Sequence, residues 1–284
     1  MVTTMNQSKI IDFHTHAFPD RLAPRAIAQL TINAAVAGYT PLTDGTVADL
    51  VASMDRSGIA RSVVCNIATN VRQMAKVNDF AIASAAESRL IPLGSLHPDA
   101  SEADVDRELD RLAAAGVAGI KIHPDYVGVE FDAAAFDMIL ARCEARGMLV
   151  VTHAGFDPVS PDHFHCTPDM VLRVMERHPR LKLVVAHTGG FDCEAETLEK
   201  LCGTDVYLDT SLSAIRRARS AAQGKACGDI LRAHDPARIL FGTDTPWSDP
   251  AAEIAFVRSA GLPEEINEMV FYRNAEKLLA SCIR

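Results

Sequence analysis

"AGIKIHPD", residues 118–125, joins a short apolar run to a polar end. In an extended chain successive side chains face opposite ways. Ile120 and Ile122 then share one face, suited to packing under helices, and Lys121 and His123 share the other. Before this run lies "EADVDRELDRLAAAG" (102–116), with apolar residues at helical spacing and a closing glycine, the usual helix stop. After it comes a second such stretch, "FDMILARCEARG" (136–147), and then "MLVVT" (148–152), which runs into His153. The unit is strand, polar strand end, helix, glycine.

That unit recurs along the chain. The strand candidates are 9–13, 61–67, 91–96, 118–122, 148–152, 182–186, 205–210 and 237–241. Strands alternating with helices pair in parallel through right-handed crossovers. Eight units predict an α/β fold: a (β/α)8 TIM barrel, one domain over 1–284, with a C-terminal helix at about 263–280 packed outside it. An open doubly wound sheet is the alternative, weakened because no glycine-rich phosphate loop follows the first strand. Residues 17–45 and 154–167 form two long connections, a length often used for lids.

The bulk numbers narrow the function. The net charge is −9 and no Lys/Arg run appears, so no nucleic-acid partner is expected. The N-terminal "MVTTMNQS" lacks a signal-peptide apolar region, and no apolar stretch approaches the ~18 residues of a membrane span. No membrane partner and a cytoplasmic location follow as expectations. The seven scattered cysteines, without a CxxC, read as reduced core thiols.

The chemistry-bearing residues fall at strand ends. "DFHTH" (12–16) carries His14 and His16, which alternation turns to one side. His97 ends strand 3, Lys121 and His123 strand 4, His153 strand 5 and His187 strand 6. Asp209 ends strand 7, and Asp244 follows strand 8. In a barrel these ends open on one face, where active sites are built. Imidazoles plus a carboxylate, with one position left open, are what catalytic zinc requires.

Other candidates carry weaker signals. "DHFHC" (162–166) holds His163 and His165, and His165 is the better candidate for a substrate-facing lid residue. Trp247 is read as packing under the strand-8 loop, Arg72 and Arg216 as surface ion-pairing residues, and Asp12 as structural. His178 and His234 sit at helix ends, as caps or surface residues.

The order of HxH, strand-4 Lys, strand-5 His, strand-6 His and strand-8 Asp resembles the amidohydrolase superfamily. "RHPRLKLVVAHTGG" (177–190), "VYLDTS" (206–211), "RILFGTDTPW" (238–247) and "RNAEKLL" (273–279) are similar to its amidohydrolase-2 branch. That branch includes aminocarboxymuconate-semialdehyde decarboxylase, aromatic-acid decarboxylases and several hydrolases. TatD-type nucleases also begin with HxH but expect a Glu near the end of strand 4, where this chain reads "GIKIHP". The resemblance implies His14, His16, His153 and Asp244 as metal ligands, with His187 and Asp244 catalytic. It implies one divalent ion, zinc first and manganese as the alternative. In two-metal members the strand-6 His is a ligand and the strand-4 Lys a carboxylated bridge. Here Lys121, His123 and His165 are read instead as contacts to a small acidic substrate. A homodimer is the assembly considered. The expected reaction is hydrolysis through a metal-activated water. Decarboxylation of an aromatic or dienoic acid is the alternative, disfavoured because "KIHP" and the Pro-less "AHTGG" depart from that pattern.

Overall fold

The computed structural model describes residues 9–282; the polar stretch 1–8 lies outside them. Eight parallel strands stand in the order of the chain. They are β1 (Ile10–Thr15), β2 (Ile59–Cys65), β3 (Leu90–Ser95), β4 (Gly119–Ile122), β5 (Leu149–Thr152), β6 (Lys182–Val185), β7 (Tyr207–Asp209) and β8 (Ile239–Leu240). β8 returns to β1 through main-chain bonds from Phe13 N to Phe241 O, Asp244 N to His14 O and His16 N to Thr245 O. The eight expected strands are therefore present, in a nearly closed (β/α)8 TIM barrel.

Alternation sorts the side chains into two layers. Phe13, Val63, Leu93, Val151, Val184 and Leu240 form one buried cluster inside the barrel. Ile120, Ile122, Val150, Leu183 and Val185 face outward, packing with Leu109, Leu112, Phe136 and Ile139 of the surrounding helices. Those helices come from α4 (Glu102–Ala114) and Ala134–Arg146. Gly147 ends the second at φ 65°, a left-handed conformation that costs glycine nothing.

Three local departures matter. β1 advances three residues, Asp12 to Thr15, while β2 advances two, Ser62 to Val64. This bulge lets core-facing Phe13 be followed directly by site-facing His14. The connection 17–45 is not plain loop: it contains the helix α1 (Ala23–Ala34). The C-terminal helix is broken into Glu264–Glu268, a π-turn at Met269–Arg273, and Asn274–Cys282. Its last part does not pack on the outer wall. Ala275, Leu278 and Leu279 join the interior cluster, and Ser281 O takes a bond from Lys182 at the start of β6, so the helix floors the barrel.

All seven cysteines are free and five are buried. Among the described residues no helix is long and apolar enough to cross a membrane.

One buried acid makes stability depend on pH. Glu253 is fully buried, accepting from Ser248 Oγ at 2.6 Å and Ala214 N at 3.0 Å. Burial pushes its pKa from 4.5 up to about 8. Between those values the native state holds a proton that the unfolded chain has released, so stability falls as pH rises. The span corresponds to a few kcal/mol, at about 1.4 kcal/mol per unit. Glu253→Gln keeps both contacts without the charge. Its Tm should fall less than the wild type's between pH 5 and 8.5; parallel Tm curves would remove Glu253 from the pH response.

Candidate active site

The strand ends open on a cavity of about 590 Å³, lined by His14, His16, Lys121, His123, His153, His187 and Asp244. These seven expected residues are brought together. Three do not line it: His97, His165 and Asp209, the last of which stands behind His14. His97 points its Nδ1 at Asp99 N, 3.2 Å away, capping its own turn, and does not line the cavity. His165 was expected to face substrate, but it stands behind the wall, with Nδ1 3.0 Å from Asp125 Oδ1. Asp125 is fully buried and draws that imidazole inward.

The HxH pair and the strand-8 carboxylate converge. Asp244 Oδ1 lies 3.3 Å from His14 Nε2 and 3.0 Å from His16 Nε2. The opposite ring nitrogens are held from behind: His14 Nδ1 by Asp209 Oδ2 at 2.8 Å, His16 Nδ1 by the Cys65 carbonyl at 2.8 Å. Each acceptor fixes the proton on Nδ1 and leaves Nε2 as a lone pair aimed into the cavity. Asp209 also accepts from the backbone N–H groups of His187 and Ser211 and from Ser211 Oγ. Burial alone would raise its pKa; His14 and the other donors outweigh that and hold it well below the usual carboxylate range.

His187 follows the same logic. Ser211 gives its proton to Asp209, so its oxygen accepts from His187 Nδ1 at 2.8 Å. His187 Nε2 is then a bare lone pair, 3.1 Å from His153 Nδ1. Burial, reinforced by His153 and His14, holds the His187 pKa well below its ordinary value, so the ring stays neutral. Its backbone is left-handed (φ 60°, ψ 48°), as is that of Thr188, and Asp244 has φ 67°. Such non-glycine conformations cost about 1–3 kcal/mol each and persist where surroundings enforce them. Arg216 does so here. It is fully buried, not a surface residue, and donates to Thr188 Oγ1 at 2.5 Å while pairing with Glu194 at 3.2 Å.

Lys121 is buried with Nζ 3.2 Å from His14 Nε2. On the far side, His123 lies flat between Tyr126 and His153, at ring separations of 3.8 and 4.2 Å. His123 Nδ1, His153 Nε2 and Asp125 Oδ2 are buried without a hydrogen-bond partner. Donor atoms of His123, His153 and Asp157 come close enough to suggest a second ion site. The two rings are stacked at 10°, however, so their in-plane lone pairs do not meet at one point. Burial raises the pKa of Asp157, whose Oδ2 lies 3.5 Å from His123 Nε2.

Asp12 is structural as expected: its carboxylate accepts from Thr243 N, Thr243 Oγ1 and His14 N, tying β1 to β8. His178 and His234 follow helix ends but are buried, not exposed. Trp247, half-buried, lines the cavity. Asp157, Tyr126, Ser211 and Arg216 were missed as site residues. "DTS" (209–211) was the available signal for Ser211, with a hydroxyl two residues past a flagged Asp; Asp157, on a loop, and Tyr126, in the short helix Pro124–Val127, carry no such marker.

Solved structures share this architecture. An uncharacterised TIM-barrel protein from Bordetella bronchiseptica superposes with TM-score 0.74 at 20% identity, covering 96% of this chain and 99% of the other. A 5-carboxyvanillate decarboxylase from Novosphingobium aromaticivorans, complexed with manganese and 4-hydroxy-3-methoxy-5-nitrobenzoic acid, gives 0.68 at 16%, covering 97% of both chains. A putative 2-pyrone-4,6-dicarboxylic acid hydrolase from Pseudomonas putida gives 0.64 at 16%, covering 98% and 99%. At these identities the likeness is one of fold. No curated protein matches significantly. The amidohydrolase family model matches residues 11–280, nearly the whole chain, and the protein belongs to that family.

Proposed function

We propose that the protein is a metal-dependent hydrolase acting on a carboxylated substrate at the strand-end cavity. The observation that carries this reading is the convergence of two bare imidazole nitrogens and a carboxylate oxygen, each imidazole braced through its other nitrogen. That donor set fits a borderline divalent ion, zinc before manganese. His14, His16 and Asp244 would hold it, with His153 Nδ1 as the fourth donor. Bound there, the ion would supply Lewis acidity and lower the pKa of water toward neutrality.

The chain's own groups do the rest. Asp244 turns Oδ1 to the histidines, leaving Oδ2 to take the proton of an attacking water. His187 Nε2, preset as a lone pair, takes that proton on from Asp244 and gives it to the leaving group, so Asp244 ends ionised as it began. Lys121 is a fixed cation for the substrate carboxylate, and His123 bounds the pocket opposite. The alternative is non-oxidative decarboxylation, favoured by the fold match to a decarboxylase that carries manganese. It uses the same cavity, with the proton delivered to carbon.

The products separate the two. The zinc-loaded protein should hydrolyse a carboxylated lactone or cyclic amide, releasing acid without CO2. Metal-dependent CO2 release from a hydroxybenzoate or dienoic acid, with no lactone or amide turnover, would overturn hydrolysis in favour of decarboxylation.

A further inference from the structure

Only one end of the cavity has the polarity that the proposed chemistry needs. The other end is built by α1 and by α3 (Val71–Ser84). Along the first of these, Leu22, Ala26, Gln29, Leu30, Asn33 and Ala34 line the cavity. Their spacing of three and four is one face of a helix. That face is laid across the barrel mouth and not on its outer wall. Val77 and Phe80 of α3 line the same space, and Phe18, Ile67, Phe156, Phe191 and Trp247 complete an apolar sleeve. Leu22 and Val159 stand at the opening 47% and 42% exposed, among the few large apolar side chains left in water.

Charge is sparse in the same space. The lining has two lysines, Lys76 and Lys121, against two carboxylates, Asp157 and Asp244, and no arginine. Lys121 already lies against His14. The one lysine of the sleeve, Lys76, is exposed on α3, so a second carboxylate buried among Ala26, Leu30, Phe156 and Phe191 would pay a desolvation cost that binding would have to cover.

We infer that the substrate has a single acidic or acyl head, seated at the histidine end, and a large apolar body, alkyl or aryl, lying under α1. This rests on the hydrolase reading for the position of the head. It deepens that reading by replacing a small polar acid with an amphiphilic one. A cavity of this volume suits a ligand of that size.

Calorimetric titration of the zinc-loaded protein with straight-chain monocarboxylates of four, six, eight and ten carbons tests the inference, each paired with the dicarboxylate of equal length. Each added methylene should tighten monoacid binding about two- to fourfold. Each dicarboxylate should bind more weakly than its partner. Leu30→Asp on α1, and separately Phe80→Asp on α3, should flatten the length dependence without lowering zinc content; two variants on different helices guard against one misfolding. Length-independent binding, no binding of any acid, or tighter binding of the dicarboxylates would overturn the inference. Zinc is counted in every sample. A protein that holds no zinc yet keeps the length dependence would fail the metal-dependent reading and leave the apolar body standing.

Discussion

Replacing His14 and His16 together by alanine should leave the barrel folded and abolish divalent-ion binding at the strand-end cavity. Two of three converging donors go, and Asp244 Oδ1 alone remains of that set. With His153 as the only other proposed donor, two of four ligands do not hold zinc against water and competing chelators. The fold survives because the strand-closing bonds are main-chain: Phe13 N to Phe241 O, Asp244 N to His14 O and His16 N to Thr245 O need no imidazole. Asp209→Asn should act on the same property more mildly. An amide cannot accept from His14 on one oxygen and from the His187 and Ser211 donors on the other. The His14 tautomer is then no longer fixed, and metal affinity should drop about 10- to 100-fold, as for other lost supporting contacts. Elemental analysis after dialysis, with circular dichroism on the same samples, reads both. Full occupancy in the double variant would sink the assignment and send attention to His123, His153 and Asp157. Two equivalents in the wild type, lost on Lys121→Ala, would instead establish a carboxylated bridge between two ions.

The fold was legible because period and punctuation agree. Ile120 and Ile122 outside, Lys121 inside, and a glycine stop on either side repeat the same instruction, and a parallel barrel satisfies it. The β1 bulge was not legible. It depends on Asp12 anchoring Thr243 across the closing seam, a contact between residues far apart in the chain. The broken C-terminal helix was missed for a related reason. Its apolar spacing suits a wall helix as well as a floor, and only the open bottom of the barrel decides between them.

At the site, residue type and strand position pointed to His14, His16, Lys121, His123, His153, His187 and Asp244, all of which line one cavity. What strand position cannot convey is which way a loop side chain turns. His165 was assigned to the lid, but the buried Asp125 carboxylate captures it, and an imidazole bonded to a desolvated acid does not swing to substrate. Arg216 looked like a surface ion pair because arginines usually are. Its partners, Thr188 in the left-handed turn and Glu194, are distant in the chain and local sequence does not announce them. Helical spacing along α1 was readable in principle, yet the segment was taken as loop, and with it went the apolar character of the cavity.

Loss of the His187 imidazole should cost most of the turnover and none of the metal. Asparagine is the informative replacement. It tolerates the left-handed φ of 60° better than other non-glycine residues, so His187→Asn keeps the strained turn. The backbone bond from residue 187 to Asp209 also stays. What disappears is the Nε2 lone pair, neutral because the ring is buried beside His153 and His14. If that lone pair moves the proton between water and leaving group, kcat should fall about 10²- to 10⁴-fold with zinc content unchanged. The near side of the same atom argues the competing case. Nε2 lies 3.1 Å from His153 Nδ1, the nitrogen proposed as the fourth metal donor, so His187 could be drawn into the same ligand set. His187→Asn would then lose metal along with turnover, and rescue by excess zinc would follow. Unchanged kcat in a metal-replete variant would take His187 out of the chemistry, leaving Asp244 as the only proton carrier at the converging donors.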